Sequence, residues 1–196
     1  MAIKKPTETA TIDSCLVVLT EEGVDGKSYG ITSNTNVEVT PQTETTDAVK
    51  CIVKGVLKAQ KPEKTIVTGH DIALTDNLTI LEAVQMIQGG VITTDSASKK
   101  ITKYEPPAVG EEVTRPKLTV DIYTAVMDQS DIVGYEKTTY PNCVGDPVAF
   151  NSQDDTFRTP SYTLKSRPGK GQSPYTIEYV DELPEVTEAA SASFVD

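Results

Sequence analysis

From residue 14 onward the chain runs in short stretches that alternate apolar and polar residues, punctuated by Gly, Pro, Asn and Asp. "SCLVVLT" is the first of them, followed by a turn at "EEGVDGKSYG". Later come "KLTVDIYTAVM", "GYEKTTYPN", "CVGDPVAF", "RTPSYTLKS" and "PYTIEYV". Alternation over four to eight residues is the mark of a half-buried strand. Strands at this spacing suit an antiparallel sandwich or barrel. "VITTD" reads as the start of a further strand and "YEPPAVGEEVTRPK" as a Pro-rich loop.

One stretch has helical spacing throughout, "TDNLTILEAVQMIQGG" from Thr75 to Gly90. Ile80, Val84 and Ile87 fall on one face, Asp76 or Thr79 can cap the start, Thr79 and Glu82 have capping-box spacing, and Gly89 can end the helix. An amphipathic helix of two to three turns serves such a fold best as a cover over an apolar patch of sheet; a docking helix for a partner is the alternative.

The segment "AVKCIVKGVLKAQKPEKTIVTGHDIALT" fits two periods. Val49, Ile52, Val53, Val56 and Leu57 have helical spacing with Lys50, Lys54 and Lys58 opposite. Strand alternation fits as well, with Val49, Cys51, Val53, Leu57 and Ala59 on one face and the lysines on the other. Gly55 and the β-branched residues favour the strand, so the expectation is a long β-hairpin pairing Val49–Lys61 with Lys64–Thr75. Its turn at "QKPEK" would form a projecting tip around Gln60 to Lys64, and Lys50, Lys54, Leu57, Lys58, Gln60, Lys61 and Pro62 are the candidate subunit-interface residues. The fold class expected is mainly β: an antiparallel sandwich or barrel with one short flanking helix and a long hairpin. Residues 1–13 form an arm, 14–184 the β domain and 185–196 an acidic tail.

Composition sharpens this picture. Of 196 residues, 27 are Thr and 21 Val, both better suited to a pleated surface than to a helix. The net charge of −11 opposes a surface built to grip nucleic acid, which needs Lys and Arg to displace counterions. Part of that charge sits in the last sixteen residues, "DELPEVTEAASASFVD", with five acids and no base. The start "MAIKKPTETA" has no apolar run behind its lysines, and "CLVVL" is far too short to span a bilayer, so no membrane association and a cytoplasmic site of synthesis are expected.

Candidate chemistry is sparse. Cys15, Cys51 and Cys143 are odd in number and far apart, which argues against a disulfide framework or a zinc site. "EEGVDGKS" ends like a phosphate-binding loop but places Glu21 where the first Gly belongs. His70 is the only histidine and adjoins Asp71 without a nucleophile motif. "DQSDIVGYE" lacks the ligand spacing of a calcium loop, and Trp is absent, which weakens a carbohydrate platform. No catalytic residue, cofactor or metal is expected.

The succession "TGHDIALTDNLTILEAVQMIQGG", "GYEKTTYPNCVGDPVAFNSQDDTFRTPSYTLKSRP" and "GQSPYTIEYVDELP" resembles the tail tube proteins of bacteriophages with Gram-positive hosts, over roughly residues 35–184. The resemblance implies six copies closing into a ring and rings stacking into a hollow virion tube that is assembled in the host cytoplasm. DNA passes through the lumen without specific binding. The partners implied are further copies of the chain, a tape-measure protein, and tail terminator and tip or baseplate proteins. The family contributes no catalytic residues; its arm and hairpin, which contact neighbouring subunits, map to residues 1–13 and Val49 to Thr75. Two other readings stand beside it, a β-sandwich binding or adhesion module and a small β-barrel enzyme using His70.

Overall fold

A computed structural model describes residues 8–23, 26–97, 100–110, 115–150 and 152–186. The fold is mainly β, built from antiparallel strands with one short helix. Its main sheet contains β1 (Ala10–Glu21), β2 (Ser28–Ile31), β3 (Asn34–Thr46), β6 (Lys64–Asp76), β9 (Leu118–Asp128), β10 (Asp131–Gly145), β11 (Ser161–Ser166) and β12 (Thr176–Val180). Two smaller hairpins are β4 (Val49–Val53) with β5 (Val56–Lys61), and β7 (Val91–Thr94) with β8 (Ile101–Glu105).

The main sheet runs β2-β1-β9-β10-β11-β6-β3, with β12 also on β10. It curls far enough for Asn34, at the start of β3, to donate to the Ser14 carbonyl on β1. Between the described strands it does not close: the result is sandwich-like, and the barrel alternative is set aside. β10 makes the curl possible. Its Tyr135–Thr139 segment pairs with β12, its Cys143–Gly145 segment with β11, and between them the register slips at Pro141 and Asn142, where Asn142 adopts φ 51°. "GYEKTTYPN" and "CVGDPVAF", expected as separate strands, are therefore joined in one bent strand up to Gly145.

Alternate residues of β1, β6, β9 and β11, among them Leu19, Ile72, Leu74, Val120 and Leu164, supply the core. The helix α1 (Leu81–Gln88) closes over it, burying Ala83, Val84, Met86 and Ile87. This is the expected cover, but it begins later than the sequence suggests. Asp76 ends β6 instead of capping the helix: its Oδ1 accepts the Leu78 N–H, and its own N–H donates to the Pro160 carbonyl. Ile80 occupies the N-cap position without a side-chain cap, and Gly89 ends the helix at φ 81°. Buried Gln88 ties the far end down, donating to the Tyr104 hydroxyl on β8 and accepting from the Val148 N–H, while Tyr104 donates to the Gly89 carbonyl.

Ala10–Asp13, assigned to an N-terminal arm, lie in β1 opposite Met127–Ala125 of β9; residues 1–7 are outside the described residues. Of the acidic tail, Glu185 and Val186 are described and 187–196 are not. The segment "NTNVEVTPQTETT" carries no strong apolar alternation, yet it forms all thirteen residues of β3. It is an edge strand, which tolerates Pro41 because its outer side needs no ladder hydrogen bonds.

The helix sits directly on the sheet at Gly145, where a β-carbon would collide with the Ile87 side chain and with the Ile87 carbonyl. Because the obstacle includes backbone, α1 would have to shift as a body. Gly145→Ala is expected to destabilise the fold by roughly 1–3 kcal/mol, read as a lower urea midpoint with an unchanged slope; an unaltered midpoint would refute the tight seat.

Candidate interaction surface

β3 and β6 pair over their whole length, from Asn34 opposite Asp76 to Thr46 opposite Lys64. Over the inner part of this pairing β6 contributes His70, Ile72 and Leu74 to the buried side. Past Gln42 and Thr68 the same two strands leave the body, and β4 and β5 continue the projection as a second hairpin. From Thr43 to the turn at Lys54 the contour is roughly 35 Å at about 3.3 Å per residue.

This pairing corrects the expected hairpin. Lys64–Thr75 pairs with β3, not with Val49–Lys61, which folds on itself. The helical option for Val49–Ala59 is not adopted. Lys54 and Gly55 have φ 49° and 78°, both positive as a two-residue turn matching strand twist requires. The tip is therefore at Lys54 and Gly55, whereas Gln60, Lys61, Pro62, Glu63 and Lys64 form the joint with β6. The expected faces change too. Lys58 occupies a bulge between the Cys51–Ala59 and Ile52–Leu57 pairs, so Leu57 shares a face with Ile52, Lys50 and Gln60. Val49, Cys51, Val53, Val56, Ala59 and Lys61 lie on the other. Lys54 is in the turn, and no single lysine face exists.

Every residue of β4 and β5 is exposed. Val49 is 63 % and Leu57 51 % accessible, and Ile66 and Val67 on the outer part of β6 are similarly bare. A two-stranded ribbon has no interior, and apolar groups on both of its faces cannot be covered by the ribbon itself. Val49–Lys61 contains four lysines and no acid, so subtracting that charge from the whole-chain −11 leaves −15 for the remainder.

The root of the arm is held firmly. Arg167, following β11, donates to the carbonyls of His70 and Ser166 and forms an ion pair with Asp71, whose other oxygen accepts from Gln42. Gly69 is needed there because the Ser166 carbonyl occupies the place of a β-carbon. His70 packs its ring against Tyr140 and Tyr175, with centroids 5.5 and 5.4 Å away. Its neighbour Asp71 is engaged by Arg167 and Gln42. Cys143 is buried, which pushes its thiol up to about 12; Cys15 is partly exposed and Cys51 fully exposed on the arm. Among the described residues, no group of His, Cys, Asp and Glu is placed to hold a metal, and no helix is long and apolar enough to cross a membrane.

The seven candidate interface residues thus lie on one projecting element, as tip, bulge, face and joint. The sequence missed its outer β3 partner, which Thr and Glu alternation disguises, and the root clamp, whose members are about a hundred residues apart. No family model matches the chain, and no curated protein matches it either.

Burial, reinforced by the Arg167 guanidinium and opposed by Asp71, holds the His70 imidazole below its ordinary value near 6.5. Between that ordinary value and the depressed one the unfolded chain binds more protons than the folded chain, so stability is full above pH 6.5 and falls as pH drops through this window. Urea midpoints at pH 7 and 5.5 should show a smaller acid-dependent loss in His70→Phe than in the unaltered protein; equal losses would assign the acid sensitivity elsewhere.

Proposed function

We propose that the chain is the structural subunit of a bacteriophage tail tube, six copies forming a ring and rings stacking into a conduit for DNA. The observation that carries this reading is the clamped β-arm, whose exposed apolar residues on both faces have no cover among the described residues. It accords with the resemblance of residues 35–184 to tail tube proteins. Monomeric proteins rarely expose such a contiguous apolar element, and its usual meaning is a partner.

The sheet supports the same reading. Among the described residues it ends in open edges at β2 and β3 and carries β12 with one side unpaired. Joining sheets of neighbouring copies satisfies edge N–H and C=O groups and builds a continuous wall in one step. Stacking like rings is a head-to-tail contact without an internal stop, so a tape-measure protein sets the length and a terminator ends it. An acidic wall suits transit, since DNA on a basic wall would be retained by counterion release.

The purified protein at high concentration is expected to form rings or tubes in negative-stain electron micrographs. Leu57→Asp, which places a charge in the arm contact without touching the core, should give a folded subunit that forms neither. Trypsin should cut the free subunit quickly at Lys54 and the assembled protein slowly. Discrete small particles at every concentration would favour a monomeric binding module and refute the tube.

A further inference from the structure

The arm needs a receiver, and one surface of the body matches it in hydrogen bonding, apolarity and charge. β12 pairs with β10 through Tyr135–Thr139, and among the described residues no strand pairs with its other side. Thr176–Tyr179 are all exposed, including Ile177 and Tyr179. Because Tyr135 lies opposite Val180, the end of β12 adjoins the β9–β10 turn, where Ile132 and Val133 are exposed as well. The same end carries Asp128 and Asp131 on the turn and Asp181 and Glu182 just after β12, all exposed. The nearby base, Lys137, is paired with Asp121.

We infer that the β4–β5 tip of one copy docks along the free edge of β12 in a second copy. The basic tip faces the acidic end of the β9–β10 turn, and Ile52 and Leu57 lie against Ile177 and Tyr179. Strand addition supplies main-chain hydrogen bonds to the open edge. Opposite charge selects this edge over the alternatives and brings together copies whose bodies repel. Among the described residues, the other two free edges of the main sheet lack the match. β2 has four residues, and β3 is interrupted by Pro41 and offers Thr, Asn, Gln and Glu in place of exposed apolar side chains. This assignment rests on the tube reading for its partner, a second copy of the chain, and adds the site that receives the arm.

Charge reversal tests it on exposed residues only. An arm variant carries Lys50→Glu, Lys54→Glu and Lys58→Glu; an edge variant carries Asp131→Lys, Asp181→Lys and Glu182→Lys, with Glu178 retained because it pairs with Lys137 across β10 and β12. Each variant alone meets like charge in its own copies, and its assembly threshold, read by light scattering and microscopy, should rise about tenfold or more. In an equimolar mixture every arm finds an opposite edge, so the mixture should assemble near the threshold of the unaltered protein. Circular dichroism on each variant verifies the fold. If the unaltered protein assembles and the arm variant does so equally well, the receiver is overturned while the tube stands. Failure of the mixture to assemble overturns the pairing in the same way. An unaltered protein that never assembles overturns both.

Discussion

The pairing of β3 with β6 is the contact on which both parts of the molecule depend. Its inner half is core wall: Ile72 and Leu74 on β6 are buried, with Val37 and Val39 of β3 packed against the core. Its outer half, beyond the irregularity at Thr68, is free ribbon. Ladder hydrogen bonds continue across the boundary, so the arm inherits its direction from the body. A flexible linker in that place would leave the hairpin marginally stable and randomly oriented.

The charge distribution follows a related division. A net charge of −11 opposes the association of like copies through long-range repulsion. The four lysines of Val49–Lys61 invert that sign locally on the exposed β4–β5 hairpin. Attraction between tip and body acts over about a Debye length, near 8 Å at physiological salt. In the proposed docking it would guide contact, with apolar burial and strand pairing supplying the binding. On the proposed reading, charge repulsion and self-recognition, which conflict on a uniform surface, fall to different parts of the chain.

What the sequence revealed depended on local pattern. β1, β9, β11 and β12 were legible from alternation, and the α1 cover from Val84 and Ile87. Val49–Ala59 was ambiguous because its apolar residues serve both faces of a ribbon, which breaks the one-sided alternation on which strand reading depends. The Lys-Gly turn fixes the outcome through positive φ, a local signal outweighed by the more conspicuous Pro62. β3 was invisible because edge strands with one solvated side need no apolar run. The helix start was misplaced because Asp76 has a competing use at the strand end, and a cap is chosen by geometry that spacing alone does not contain. The root clamp brings Gln42, Asp71 and Arg167 together from three distant segments, and its partners are set by topology.

That clamp bears on how strongly an otherwise bare arm can bind. Association must offset lost rotational freedom and the ordering of whatever was loose beforehand. Here the root is fixed in advance by Arg167 bridging two carbonyls and a carboxylate, by the close seat of Gly69 under β11, and by the His70, Tyr140 and Tyr175 rings beneath. In the proposed docking, what is left to order is the exposed ribbon beyond that root. In that docking the exposed apolar side chains contribute their burial to affinity against a smaller ordering cost. The ion pair at the root is partly exposed and weak as a source of fold stability; its consequence is geometric, setting where a distant hairpin points.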